Sequence, residues 1–237
     1  MSAQFNKLTR STTQSVTRPA ALKKFRFGLT ALALAASLAR PAAGAGPAST
    51  ASVADPAGDA VFPDDLYGSA LVPPYLDVIE ASISLTRGVF HFEIKMSVAI
   101  PANADPGFAP SVNHLGGTFG ILTNPKTAGH YNFVGQKGKY EFNFLVGAAY
   151  SVQDSGVGLP LGWSAFLAGP NGFSEIPLAI RGDTLVFETG AESLGNPSSF
   201  AWAVGCECDP VLITEEHHRS VIMVDYVPDH GYANWPP

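Results

Sequence analysis

Apolar and polar side chains alternate along much of this chain, most clearly between residues 78 and 98. Segment 89–98 places Phe, Phe, Ile, Met and Val at every second position, with His, Glu, Lys and Ser between them. A period of two is the signature of a β-strand with one buried and one solvated face. Segment 78–86 alternates in the same way, and Arg87-Gly88 joins the two segments. The pattern therefore predicts two strands connected by a tight hairpin.

Similar short runs recur almost to the C-terminus, and Gly, Pro, Asn or Asp separate them. Further strands are predicted at 118–122, 131–134, 140–150, 162–167, 184–189, 200–205 and 221–224. Beyond one possible helical turn at 214–218, no segment has a convincing amphipathic helical pattern. Nine or ten strands without such a helix predict an all-β fold, an antiparallel, jelly-roll-like β-sandwich.

The first 45 residues have a different character from the rest. They contain seven basic and no acidic residues, and an uncharged run of thirteen residues at 27–39 follows the basic cluster at 23–26. That run is too short to span a bilayer, which needs about 20 residues. Ala43-Gly44-Ala45 then supplies an A-x-A cleavage site. We predict a secretory signal peptide at 1–45, with an uncleaved anchor as the alternative, then a flexible tether at 46–54 and a single domain at 55–237.

The full chain has a formal net charge of −6, but removal of the predicted signal peptide makes the remaining chain more acidic. Residues 46–237 hold the other seven basic residues and all twenty acidic ones, which gives a net charge of −13. Such a surface repels phosphate backbones and attracts cations, so nucleic acid is not an expected partner. No later apolar run reaches the length of a membrane span. With 15 Phe, 7 Tyr and 3 Trp the chain has enough large apolar side chains for a core, which excludes intrinsic disorder.

Five aspartates stand at positions that suit a cation site. Asp55 and Asp59 open the domain with Pro and Gly between them, Asp77 stands at a strand entrance, and Asp225 and Asp229 follow the last strand. Calcium takes six to eight oxygen ligands, and a turn with Pro and Gly can aim two carboxylates inward. The pattern predicts a calcium site at these residues. The alternative is that the aspartates only form turns and protect strand ends.

The order of these motifs resembles secreted bacterial β-sandwich domains of the DOMON and family 9 carbohydrate-binding-module group. The matching segments are 55–59 (DPAGD), 76–78 (LDV), 194–202 (LGNPSSFAW) and 225–231 (DYVPDHG). The middle element at 122–129 (LTNPKTAG) lacks the aspartates of the family pattern, so a second cation site is not expected there. The resemblance spans residues 53–232 and implies an exported bacterial protein, secreted, cell-surface or periplasmic, with calcium as its cofactor.

Two cysteines, Cys206 and Cys208, lie in the exported part of the chain. An oxidising compartment favours a disulfide between them, although residues i and i+2 of a straight strand stand about 6.6–6.8 Å apart, near the upper limit for a bridge. A soft-metal site with His217 and His218 is a less favoured alternative, because the usual zinc-ligand spacings are absent.

The chain has no G-x-S-x-G, P-loop or H-E-x-x-H motif, so we predict a protein without catalytic residues. A secreted hydrolase with dispersed carboxylates, such as Glu188 with Glu192, is an alternative. Sandwich modules bind sugars through exposed aromatic rings, for which Trp163 and Tyr131 are the candidates. The leading expectation is a non-catalytic, calcium-stabilised binding module for a glycan or a cell-envelope component. A structural envelope protein without a small ligand is the other alternative.

Overall fold

A computed structural model describes residues 49–62, 72–104, 112–129, 131–135, 138–151, 161–210 and 219–237. Its strands are β1 (Ser49–Ala54), β2 (Val78–Thr86), β3 (Val89–Met96), β4 (Val112–Leu122), β5 (Tyr131–Gly135), β6 (Gly138–Phe142), β7 (Phe144–Ser151), β8 (Gly162–Gly169), β9 (Gly172–Ile176), β10 (Leu178–Arg181), β11 (Thr184–Gly190), β12 (Phe200–Pro210), β13 (Arg219–Val227) and β14 (Ala233–Trp235). Single 3₁₀ turns occur at Pro74–Leu76, Pro125–Thr127 and Ala191–Leu194. The predicted helical turn at 214–218 lies outside the described residues.

The strands form two sheets. The smaller sheet has the order β1-β2-β3-β11-β10, and the larger has the order β6-β5-β13-β12-β4-β7-β8-β9, with β14 beside the first half of β12. Pairing is antiparallel except between β13 and β5, which run parallel. The all-β prediction is confirmed, and the two sheets are consistent with a β-sandwich. The predicted count of nine or ten strands is wrong, because the described residues contain fourteen.

The hairpin between β2 and β3 forms as predicted. Thr86 pairs with Val89, and Arg87 and Gly88 between them have φ values of 52° and 81°. Positive φ at both central residues is typical of the type I′ turn, whose twist matches that of the flanking strands. Glycine adopts this backbone conformation without steric cost.

Two predicted boundaries are wrong. Residues 49–54, expected within the flexible tether, form β1 and pair with β2 at all six positions, from Ser49 with Leu85 to Ala54 with Glu80. Their small side chains carry little hydrophobic signal, so the pairing with β2 decides their conformation. The single strand expected at 140–150 is two strands, β6 and β7, on either side of Asn143.

The inward faces of the two sheets enclose the main core. Phe92 of β3 stacks on Phe187 of β11 at 5.8 Å between ring centroids, and Phe119 of β4 packs against Trp202 of β12 at 5.5 Å. Full burial of a side chain of this size contributes about 1.5–3 kcal/mol to folding. Of these four strands, β3 pairs with β2 and β12 pairs with β13, so the core fixes the positions of β2 and β13.

A second apolar cluster lies on the other face of the larger sheet. It contains Tyr131 and Phe133 of β5, Tyr140 and Phe142 of β6, and Met223 of β13, among others. A Cβ atom at Gly120 would lie 2.4 Å from the Phe142 ring, so the close approach of β6 to β4 requires glycine there. Both faces of the larger sheet are therefore buried in this region.

The segment after β1 crosses from the smaller sheet to the larger one. Asp55 N donates to Ile79 O of β2 at 2.9 Å, and six residues later Val61 N donates to Val224 O of β13 at 2.8 Å. All described residues belong to one compact unit, Ala43–Pro237. Within them, no helix has the length and apolar character needed to cross a bilayer.

Candidate metal centre

Three carboxylates meet where the crossing segment reaches β13. Asp55 and Asp59 come from the loop that follows β1, and Asp225 comes from β13. One oxygen from each of the three lies within 4.8 Å of the other two. Two oxygens that share one calcium ion at 2.3–2.6 Å stand at most about 4.6–5.2 Å apart. The spacing of the three carboxylates is therefore compatible with a single ion.

Asp225 is the most deeply buried of the three, with 1% of its surface exposed. Its Oδ2 accepts a hydrogen bond from Val78 N at 2.6 Å, and its Oδ1 accepts one from Tyr226 N at 2.8 Å. Val78 is the first residue of β2 in the smaller sheet, so the first of these bonds connects the two sheets. The two backbone donors fix the orientation of this carboxylate.

The local electrostatics disfavour three ionised carboxylates without a bound cation. Burial raises the pKa of Asp225 to about 7; the hydrogen bond from Val78 opposes the shift, and the charges of Asp59 and Asp55 add to it. Two unit charges about 5 Å apart repel each other by about 3 kcal/mol at an effective dielectric constant of 20. A proton or a cation at the cluster relieves this repulsion.

Asp77 shapes the loop that carries the first two carboxylates. Its two carboxylate oxygens accept from Gly58 N at 3.0 and 2.9 Å, and its side chain is 5% exposed. Gly58 has φ of 89°, a conformation that glycine adopts readily. Asp77, predicted as a ligand, is not part of the group formed by Asp55, Asp59 and Asp225; it holds the turn between Asp55 and Asp59 through Gly58 N.

Asp229, also predicted as a ligand, is not part of the three-carboxylate group found among the described residues. Side-chain oxygens Oδ2 of Asp55 and Oδ1 of Asp59 are screened from solvent. The donor set consists of carboxylate oxygens, which suit hard cations such as calcium or magnesium and not soft metals.

Cys206 of β12 belongs to the main apolar core. It is a buried free thiol whose Sγ is 3.7 Å from Met96 Sδ. Burial raises the pKa of this thiol, and the charges of Asp225, Glu207 and Asp77 raise it further. A buried protonated thiol of this kind behaves as a small apolar side chain.

The predicted bridge between Cys206 and Cys208 is not formed in this structure, because Cys206 is free. Strand β12 pairs with β4 in continuous register through both positions, with Cys206 opposite Gly117 and Cys208 opposite Leu115. Regular pairing keeps residues i and i+2 about 6.6–6.8 Å apart, close to the limit for a disulfide. The side chain of Cys208, and His217 and His218, lie outside the described residues.

The two predicted sugar-binding aromatics are not exposed platforms. Tyr131 is 5% exposed within the second cluster, and its hydroxyl donates to Gly169 O at 3.3 Å. Trp163 is half-buried; its Nε1 donates to Pro101 O at 2.8 Å and its ring packs against Tyr150. Among the described residues the most exposed aromatic side chain is that of Tyr232, at 37%, which sequence reasoning did not select; its ring packs at a steep angle against Tyr140 and Phe142, and its hydroxyl accepts from Glu141 N at 3.2 Å.

Glu207 is a second acidic group that sequence reasoning missed. It is 2% exposed, and its Oε1 accepts from Thr118 Oγ1 at 2.9 Å. Burial raises its pKa to about 7, while the hydrogen bond from Thr118 lowers it. Alternation along β12 places Glu207 on the face opposite Trp202 and Cys206, where Ala203 belongs to the second apolar cluster, so the strand pattern alone gives no signal for its burial.

The chain matches no family model, and no curated protein is significantly similar to it.

Proposed function

We propose that this protein is an exported, non-catalytic, jelly-roll-like β-sandwich module that is stabilised by one calcium ion and binds a glycan or a cell-envelope component. The proposed calcium site rests on one observation: one carboxylate oxygen from each of Asp55, Asp59 and Asp225 lies within 4.8 Å of the other two. The basic, acid-free leader supports export, and the net charge of −13 over residues 46–237 favours cation binding. The motif order resembles that of DOMON and family 9 carbohydrate-binding modules, which supports both the calcium site and the binding of a glycan.

Calcium suits this site better than magnesium. The ligands come from a turn and from a strand of the larger sheet, so their geometry is set by two independent parts of the fold. Calcium accepts irregular arrangements of six to eight oxygens, whereas magnesium demands a near-ideal octahedron and retains several waters. Backbone carbonyls and water would complete the calcium shell.

Calcium should raise the melting temperature of the full chain relative to EGTA. An ion that binds only the folded state at 100 times its Kd stabilises it by about 2.7 kcal/mol, or roughly 5–11 °C for a protein of this size. The rise should be larger at pH 8 than at pH 5.5, because Asp225 must release its proton to bind metal. Magnesium at the same concentration should give a smaller rise. Equal melting temperatures in calcium and EGTA, with no calcium found by elemental analysis, would contradict the proposal.

Substitution of Tyr232, the most exposed aromatic side chain among the described residues, tests the proposed glycan binding. Sugar rings stack on exposed aromatic faces, so Tyr232→Ala should weaken binding about tenfold, a loss of about 1.4 kcal/mol, on an array of bacterial envelope glycans. Tyr131→Phe, which removes a buried hydroxyl, is the matched control and should bind as the unmodified protein does. Absence of binding to every glycan would favour the structural envelope protein, and cleavage of a bound glycan would favour the hydrolase.

A further inference from the structure

Strand β1 is an edge of the smaller sheet and lacks the usual protection of an edge strand. Its sequence, STASVA, contains no charge, Pro or Gly, and its six residues pair with β2 without a bulge. An edge strand presents a row of unpaired N–H and C=O groups to any strand that approaches it. Natural proteins protect such rows with charges, prolines, bulges or very short strands.

The other edge strands in the described part of the chain have this protection, and β14, which pairs only with β12, has just three residues. Strand β10 has four residues, ends in Arg181 and follows Pro177. Strand β9 contains Glu175 and is followed by the same proline. Strand β6 contains Lys139 and Glu141. Among the described strands, the contrast identifies β1 as the edge that lacks protection against strand addition.

We propose that β1 pairs antiparallel with β1 of a second copy, so that two five-stranded sheets join into one ten-stranded sheet. A two-fold axis through such a pair uses the same surface on both copies, as the commonest soluble dimers do. The inference is independent of the proposed calcium function, because it concerns the hydrogen-bonding edge of β1 and not the carboxylates.

Electrostatic repulsion between two copies is weakest at this edge. Residues 46–237 have a net charge of −13, so two copies repel each other over most of their surfaces. Ser52 Oγ donates to the Glu80 carboxylate of β2 at 2.9 Å, and the outward side chains of β1 itself, Thr50, Ser52 and Ala54, are exposed, small and uncharged. They can face their symmetry mates across the new strand pair without the penalty of like charges directly opposite.

The dimer should be weak. A pair of six-residue strands is small beside a standard interface, which buries about 1,200–2,000 Å². We therefore expect a concentration-dependent equilibrium between monomer and dimer, not a permanent assembly.

Sedimentation velocity of the full chain, over a concentration series up to the millimolar range, tests this pairing. Ser52→Lys should raise the dimer dissociation constant at least tenfold, because it places a lysine on the edge of each copy. Ser82→Lys is the matched control, since Ser82 pairs with Ser52 one strand further from the edge and on the same face. It should leave the dimer unchanged. Circular dichroism spectra of both variants confirm that each is folded.

A covalent trap gives a second readout. In a Cys208→Ser background, single cysteines at Thr50, Ser52 and Ala54 are oxidised in turn, and the position nearest the two-fold axis should form disulfide-linked dimers in the highest yield. Bridging requires Cα atoms about 4.4–6.8 Å apart, which antiparallel neighbours satisfy. A monomer at every concentration, or equal weakening by Ser52→Lys and Ser82→Lys, overturns the proposal.

Discussion

Replacing Asp59 with Asn should remove most of the calcium-dependent rise in melting temperature and should stabilise the calcium-free protein. Asn keeps the shape of the side chain and one oxygen donor but removes one of the three negative charges that calcium requires. In EGTA the same change relieves the repulsion that Asp59 exerts on Asp225. The metal-free variant should therefore gain about 1–3 kcal/mol at pH 8, given a repulsion of about 3 kcal/mol per close pair. Thermal melts in calcium and in EGTA, with calorimetric titration of calcium, measure both effects.

Asp229→Asn is the matched control for this experiment. It makes the same chemical change and the same change in net charge, but Asp229 lies outside the three-carboxylate group. Its calcium response should equal that of the unmodified protein. A full calcium response in Asp59→Asn, or an equal loss in Asp229→Asn, would show that the cluster is not the binding site.

The parts of the fold that the sequence predicted are those in which one face of a sheet is buried and the other solvated. Strands β2 and β3 have this environment, so their buried and exposed residues alternate regularly. Strand β7 lies between two apolar clusters and is buried at nearly every position. A strand that is buried on both faces shows no alternation of polar and apolar residues. The sequence pattern therefore does not mark the boundary of β7 at Asn143.

The candidate site was predictable in its residue types but not in its grouping. Turn chemistry identified Asp55 and Asp59, since Pro and Gly between two acids favour a tight turn. The contact between Asp225 and Val78 joins residues 147 positions apart. No local pattern distinguishes a distant ligand such as Asp225 from an acid such as Asp77 that fixes a loop, because the distinction depends on how the two sheets pack.

Replacing Glu207 with Gln should stabilise the protein at pH 8 by about 3 kcal/mol and should change its stability little below pH 4.5. Burial raises the pKa of Glu207 in the folded protein from 4.5 to about 7. Between those two values the folded state holds a proton that the unfolded state has lost, so stability falls as the pH rises through this window. Gln is neutral at every pH, and its amide oxygen can still accept the hydrogen bond from Thr118. The variant should therefore lack the part of the decrease in stability that comes from residue 207.

Urea unfolding in EGTA at half-unit steps from pH 4.5 to pH 8 measures the difference between the two proteins. Asp225 has a raised pKa as well, so the Glu207→Gln variant should keep a shallower fall in the same direction. Glu93→Gln, at an exposed position of β3, is the control and should follow the unmodified protein. Thr118→Val should act in the opposite sense, because loss of the hydroxyl donor raises the pKa of Glu207 further and steepens the fall. Parallel stability profiles for the unmodified protein and Glu207→Gln would contradict a raised pKa of Glu207 in the folded protein.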